Sequence, residues 1–388
     1  MMNALKWTGV KMAKILSFLY GCSTIFVILC FIPIITSFSV KNHGIDDVLR
    51  CKTLWDYYGF CSKEQKKAIA FLLKKTGIDW KDPVISRSLT KSDLWKIMTL
   101  VQKTQRQWVR RAPKQERWDV IKNDDSPEQK KTMLRCLKIL GVVHGCFPLK
   151  SSPSHAICVL GATGPVMNKR LKFLERCIEK GLFRRQNILL LSGERPLQSR
   201  VDDPEYNDLI QKKGPNSKEV GLERDLLQHL YDSSPSAKRK WPVTMIHGKK
   251  GDLPRATTES TVKTLLNWLK SHPEIKTIVF ISSQPYVLYQ KAIIGSVVKS
   301  CGSDLNVQVV GDGAKLKEVD QLLAELGSYI WAITPSVLSS IPLPKLSDGD
   351  QQNLSDFLNT CYGAQKSLYH ILPKMLKVSP KNRPHGLP

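Results

Sequence analysis

Five short apolar runs beyond residue 155 each end in small, polar or charged residues, and those ends hold the side chains best suited to chemistry. The first run, Ala156 to Leu160, leads into Gly161-Ala162-Thr163-Gly164. Backbone N–H groups of such a turn could close on an anion at a helix start, where the helix dipole also favours negative charge. A plain tight turn is the other reading of that Gly-x-x-Gly. The second run, Ile188 to Leu191, ends in Ser192-Gly193-Glu194-Arg195-Pro196. There Glu194 could act as a general base or bind a hydroxyl, and Arg195 could hold a phosphate or carboxylate through two parallel hydrogen bonds. Alternatively the pair engage only each other or neighbouring loops.

The third run, Val243 to Ile246, is followed by His247, the basic loop Gly248-Lys249-Lys250-Gly251, Arg255, and then Thr257-Thr258-Glu259-Ser260-Thr261 at a helix start. Hydroxyls of Thr257, Thr258 or Thr261 can cap that helix, and the same free N–H groups beside lysines could receive phosphate. His247 stands alone, and a lone histidine is more often structural. The fourth run, Thr277 to Ile281, ends in Ser282-Ser283-Gln284-Pro285-Tyr286, and the fifth, Val307 to Val310, in Gly311-Asp312-Gly313. No Walker, G-x-G-x-x-G, G-x-S-x-G or H-E-x-x-H signature occurs. Without a Cys/His cluster at zinc spacing no metal site is expected, and no cofactor is specified.

What would place these ends together is a parallel sheet. Between the first two runs, Met167, Leu171, Leu174 and Ile178 recur at helical spacing, and Gly181 closes the segment as a left-handed C-terminal cap. Further helices are expected near Glu219 to Tyr231, carrying Glu223, near Thr258 to Lys270, near Val287 to Lys299 and near Leu316 to Leu326. Regular alternation of strand and helix predicts an α/β domain over residues 155–333: a Rossmann-like, doubly wound parallel sheet of about five strands, with every polar end on one carboxyl edge. The polar stretch from Gln198 to Asn216 reads as a long surface loop above that edge.

The order of these motifs resembles the SanA/YdcF/ElyC-like domain family over about residues 156–299. VLGA at 159–162, Arg170 on the following helix, LLLSGE at 189–194, Glu223 on a helix, Thr258-Glu259-Ser260-Thr261 opening another and IVFISSQPY at 278–286 carry the resemblance. It implies a Rossmann-like fold with a ligand site formed by Gly161, Thr163, Gly164, Gly193, Arg195, Thr257, Thr258, Thr261, Ser283, Gln284 and Tyr286 at the turns, together with Glu223. It also implies a bacterial envelope protein with one N-terminal membrane segment. Glu194 stands where the family has a second Gly, Thr258 and Ser260 replace its Ser and Asn, and Tyr286 lies near its His.

Residues 1–41 read as a signal anchor. From Ile15 to Val40 there is no charged residue, a span long enough to cross a bilayer, with Lys6, Lys11 and Lys14 ahead of it. Those lysines predict a cytoplasmic N-terminus in a bacterial inner membrane and the bulk of the chain outside the cytoplasm. A signal peptide cleaved near Ser37 or Ser39 is the alternative. Residues 46–150 read as a basic helical segment. Capping boxes at Ser62-Lys63-Glu64-Gln65 and Ser126-Pro127-Glu128-Gln129 open two helices, and a third starts near Thr90 or Ser92 and runs toward Trp108. Between Cys61 and Leu140 there are 20 Lys+Arg against 9 Asp+Glu, a surplus of eleven (20 − 9). Residues 334–388 read as a helical extension and tail.

With 388 residues, 42% of them apolar, and a formal charge of +25, the chain is an ordered protein set among anionic partners. Buried free thiols are expected at Cys158 and Cys177, and Cys51 with Cys61, or Cys136 with Cys146, could bridge in an oxidising compartment. Two functions follow. One is an anchored protein binding a phosphorylated or nucleotide-like ligand at the carboxyl edge, with phosphoryl or glycosyl chemistry using Glu194 as base if turnover occurs. The other is a non-enzymatic anchored scaffold whose basic segment meets acidic lipid or a partner protein. Nucleic acid ranks last, since no helix-turn-helix, zinc finger or RNP-type motif is present.

Overall fold

Strand β1 (Ala156–Leu160) is buried along its whole length, as a strand with helices on both faces must be. It sits at the centre of a five-stranded sheet with β2 (Asn187–Gly193), β3 (Val243–Gly248), β4 (Thr277–Ser283) and β5 (Asn306–Asp312), in the order β3-β2-β1-β4-β5. All four pairings are parallel. The computed structural model describes residues 53–83, 85, 88–110, 124–148, 155–213, 221–252, 255–314 and 319–362. The apolar run 15–40, Cys51, the linker Ser151 to Ser154 and everything beyond residue 362 lie outside the described residues. No helix among those described is long and apolar enough to cross a membrane.

The longer helices, numbered along the chain, are α1 (Lys63–Lys75), α2 (Lys91–Thr104), α3 (Pro127–Ile139), α4 (Gly164–Glu179), α5 (Glu205–Lys213), α6 (Glu223–Asp232), α7 (Thr258–Leu269), α8 (Val287–Ser300), α9 (Val319–Ser340) and α10 (Asp348–Tyr362). Alternating residues of β1 serve opposite layers. Ala156, Cys158 and Leu160 pack with Val262 and Leu265 of α7 and Ile293, Ile294 and Val297 of α8. Ile157 and Val159 pack with Met167, Leu171 and Leu174 of α4 and Leu226 and Leu227 of α6. The side-chain period of two thus builds a core on each face from one buried run.

The ladders run further than the apolar runs. Ser192 pairs in register with His247 and Gly193 with Gly248, while Ser282 pairs with Gly311 and Ser283 with Asp312. These polar residues, expected in turns, are strand residues, because backbone pairing continues until the strands diverge. The stretch from Gln198 to Asn216 is not a bare loop either: a helical turn, Ser199–Asp202, and α5 occupy most of it.

The basic segment and α9 share one core. Ile69, Leu72 and Leu73 of α1, Ile97 and Val101 of α2, and Met133 and Leu137 of α3 join Leu322, Leu323, Leu326 and Ile330 of α9 and Leu354 and Leu358 of α10. Helix α9, expected to stop at Leu326, continues through Pro335 to Ser340 and is buried on most of its circumference. Tertiary bonds brace it near the proline: Thr334 Oγ1 is 2.7 Å from the Tyr58 hydroxyl, and Tyr329 Oη donates to the Tyr58 carbonyl at 2.6 Å. At Gly327 the helix comes close enough to α2's π-helical continuation, Gln105–Val109, that a Cβ would lie 3.3 Å from the Trp108 Cβ.

Cys136 and Cys146 are both free thiols, as is Cys61. The first is packed into the helical core, while the backbone of the second bridges to Gly311 across the sheet edge, so no Cys136–Cys146 disulfide forms. Buried free thiols are found at Cys158 and Cys177.

Trp108 is fully buried and its Nε1 donates to Thr76 Oγ1 at 2.8 Å. Trp108→Ala is expected to cost about 3–5 kcal/mol. Because one core joins the segment to α9, denaturant unfolding followed by circular dichroism should stay a single transition at a lower midpoint. A separate early transition of the helical segment would contradict the shared core.

Candidate functional site at the carboxyl edge of the sheet

The turn after β2 buries a guanidinium. Arg195 is 6% exposed, and each of its five N–H groups has a protein acceptor available. Nε donates to Glu223 Oε2 at 2.9 Å, and Nη1 and Nη2 donate to Asp202 Oδ2 and Oδ1 at 3.0 and 2.9 Å. The carbonyls of Ala162 and Pro196 accept the remaining bonds, at 2.8 and 3.4 Å. The fork that the sequence offers to a ligand anion is filled by the chain's own carboxylates.

Those carboxylates are held in turn by backbone. Asp202 Oδ1 accepts the Gly164 N–H at 2.9 Å and Oδ2 the Gln198 N–H at 2.8 Å. The N-terminus of α4, a ready anion seat, is therefore occupied by Asp202. Burial alone would raise the Asp202 carboxyl, but the Arg195 hydrogen bonds and charge outweigh it and hold it below its ordinary value. Glu223 opens α6 and accepts the Gly193 N–H on Oε1 at 2.9 Å. Gly161 is required beside it: a Cβ there would stand 2.0 Å from Glu223 Oε1.

Glycines 193 and 248 serve packing. A Cβ on Gly248 would fall 2.7 Å from the Thr261 Cα, and one on Gly193 would fall 2.9 Å from the Ala256 Cβ, so both let the start of α7 lie against the ends of β2 and β3. Thr257 caps α7 by accepting the Ser260 N–H at 3.2 Å, while Ser260 Oγ accepts the Thr257 N–H at 3.0 Å. The Thr261 hydroxyl donates to the Thr258 carbonyl at 3.0 Å. The hydroxyls of Thr257 and Thr261 and the carbonyl of Thr258 are thus spent on the helix start.

Beyond this network, Glu194 Oε2 accepts the Lys250 N–H at 3.1 Å and is half-buried. His247, in β3 rather than past it, has Nδ1 3.1 Å from the buried Ser192 Oγ. Burial and then the nearby Arg224 charge push this imidazole below its ordinary value, opposed by Glu194, Asp225 and Glu223. The half-buried ionisable set of Glu194 and His247 was only partly legible in sequence, because the pairing of His247 with Ser192 depends on strand register.

A different group assembles between β1 and β4. The chain runs from β1 outward through β2 to β3, then returns to the other side of β1 as β4, which makes this crevice the topological switch point where ligands of open α/β sheets bind. Gly161, Ala162 and Thr163 form its β1 side, and the Thr163 side chain does not cap α4. On the β4 side, Ser283 is 1% exposed and lies on the α4 face by alternation with Val279 and Ile281; its hydroxyl has no hydrogen-bond partner among the described residues. Gln284 donates from Nε2 to the Gly141 and His144 carbonyls, each at 2.9 Å, leaving Oε1 unpartnered. Tyr286 stands apart, its hydroxyl accepting from Gln321 of α9 at 2.9 Å.

Two residues of α4 missed in the sequence reading also make contacts here: Asn168 donates to Glu205 at 2.8 Å, and Lys169 Nζ bonds the Gly313 carbonyl after β5. Neither lies in a turn, so only helix α4's orientation could reveal them. Among the described residues no group of three or more His, Cys, Asp or Glu could hold a metal ion. A cavity of about 580 Å³ opens at the opposite, amino-terminal edge, with Leu266, Ile275 and Leu305 in its wall and Lys263, Lys270 and Lys276 around it. It adjoins the C-terminal ends of α7 and α8, where lysines complement the helix dipoles.

Comparison with protein-family models, with curated proteins and with solved structures returns no match. The chemistry of the carboxyl edge is therefore argued from this chain's own geometry.

Asp202→Asn leaves the buried Arg195 short of a charge partner and is expected to cost about 3–5 kcal/mol near neutral pH. The native carboxyl of Asp202 lies below the ordinary value of about 3.9, so its contribution is complete above about pH 5 and is lost as pH falls through the lower native value. Urea unfolding at several pH values should show the gap between wild type and variant closing in acid; a gap that stays constant would mean that the loss does not come from the Asp202 charge. Gly161→Ala should displace Glu223 and leave the Gly193 N–H unpaired, a loss of about 1–3 kcal/mol in the same measurement.

Proposed function

We propose that this chain is a membrane-anchored α/β protein that binds an anionic, phosphorylated or nucleotide-like ligand in the crevice between β1 and β4. The observation that carries the proposal is the Ser283 hydroxyl, buried at the switch point without a partner. Leaving such a hydroxyl unpaired costs about 1–3 kcal/mol, and a ligand acceptor or donor seated in the crevice would recover that cost. Gln284 Oε1 offers an acceptor beside it, and the Gly161 to Thr163 turn faces it from β1. Lys169 of α4 and the formal charge of +25 favour a negative ligand.

In this reading Arg195 is a positioning residue. Its bonds to Asp202 and Glu223 hold the β1 and β2 turns in place, and ligand contact passes to Thr163, Ser283 and Gln284. Glu194, with His247 nearby, would be the base if the ligand is turned over. The uncharged run 15–40 supplies the anchor, and the resemblance to the SanA/YdcF/ElyC-like family supports both the envelope setting and a ligand at these turns.

Thermal unfolding of the detergent-solubilised full chain against nucleotides, sugar nucleotides and lipid-phosphate headgroups tests the proposal. One of these should give a saturable stabilisation. Ser283→Ala should leave the free protein as stable as wild type or up to about 1–3 kcal/mol more stable, while weakening that ligand about tenfold. A destabilised Ser283→Ala, or undiminished binding by it, would count against the crevice.

A further inference from the structure

Helices α1 and α3 pack side by side and turn their outer surfaces to solvent. Together they carry nine basic side chains against two acidic ones, Glu64 and Glu128, a surplus of seven (9 − 2). Lys66 is paired with Asp56 at 2.7 Å, but Lys63, Lys67, Lys74, Lys131 and Arg135 make no ion pair among the described residues. Their spacing forms stripes. On α1, Lys63, Lys67, Phe71 and Lys74 recur three to four residues apart, and on α3, Lys131, Arg135 and Ile139 do the same. Phe71 and Ile139 are 39% and 41% exposed, two of the few large apolar side chains so open to solvent.

From this we infer that the α1–α3 face docks on a bilayer surface rich in anionic phospholipid. A cationic helix face with apolar side chains set among the lysines suits the headgroup boundary: the amines meet phosphate while Phe71 and Ile139 enter the acyl edge. With the run 15–40 in a bilayer, chain length would limit how far this face can stand from it. Leu54, in the buried core, follows the end of the uncharged run at Val40 by only 14 residues (54 − 40), no more than about 50 Å of extended chain. This second point rests on the anchor reading above; the charge of the face does not.

The test uses the full chain with vesicles of phosphatidylcholine alone and of phosphatidylcholine mixed with phosphatidylglycerol. Flotation reads the anchor, and amine acetylation read by mass spectrometry reads docking. Acetylation of Lys63, Lys67, Lys74 and Lys131 should slow about tenfold on the anionic vesicles relative to the neutral ones, with Lys270 unchanged, and high salt should abolish the difference. The variant Lys67→Glu with Lys74→Glu should keep the wild-type melting temperature and restore fast acetylation at Lys63 and Lys131. Flotation with both vesicles but equal acetylation on each overturns the docking and leaves the anchor intact. Salt-sensitive flotation with the anionic vesicles alone supports docking and removes the anchor. Flotation with neither overturns both.

Discussion

The carboxyl edge depends on one buried guanidinium. Arg195 sits between Asp202 and Glu223, so a single positive charge faces two negative ones in a site withdrawn from water. Three backbone N–H groups, those of Gly164, Gly193 and Gln198, make up the difference. Both carboxylates sit at helix starts, Asp202 at that of α4 and Glu223 at that of α6, where helix dipoles favour negative charge. Removing any member leaves another charge buried without compensation, which ties the turns after β1 and β2 to the helical turn at Ser199–Asp202. The close approaches at Gly161 and Gly164 are consequences of the same cluster, since both glycines make room for it.

That cluster also decides where a ligand fits. Asp202 fills the anion seat at α4, while Ser283 Oγ and Gln284 Oε1 on the β4 side have no hydrogen-bond partner among the described residues. The other side is closed by the helical segment. Its last stretch bridges Cys146 to Gly311, places the Val143 carbonyl on the Ala314 N–H at 2.8 Å, and is gripped by Gln284. The segment therefore works as part of the α/β body through α9, while its outer helices keep a basic face toward solvent.

Much of the fold was legible in sequence because it rests on local patterns. Uniformly apolar runs of four or five residues between helical periods specify parallel strands, and the capping boxes at Ser62 and Ser126 form as their spacing requires. Errors fell where tertiary contacts override local preference. The helix expected near Leu316 to Leu326 runs on through Pro335 to Ser340, because Tyr58 and Tyr329 brace the turn beside the proline. The polar stretch around Asp202 reads as loop, yet it folds into helix because Asp202 has a buried cation to meet.

By itself the sequence determined the alternation of strand and helix, the parallel sheet, and the gathering of Gly161, Arg195 and Ser283 on its carboxyl edge. These follow from periodicity and from the handedness of crossovers, which act over a few residues at a time. Only the tertiary structure decided which of those residues are already spoken for. Arg195 and Ser283 look equally free in one dimension. In three, Asp202 and Glu223 lie within 3.0 Å of the first, while the hydroxyl of the second has no hydrogen-bond partner among the described residues. Hydrogen-bond satisfaction is a property of short-range neighbours in space, and the chain brings those neighbours from up to 28 residues away.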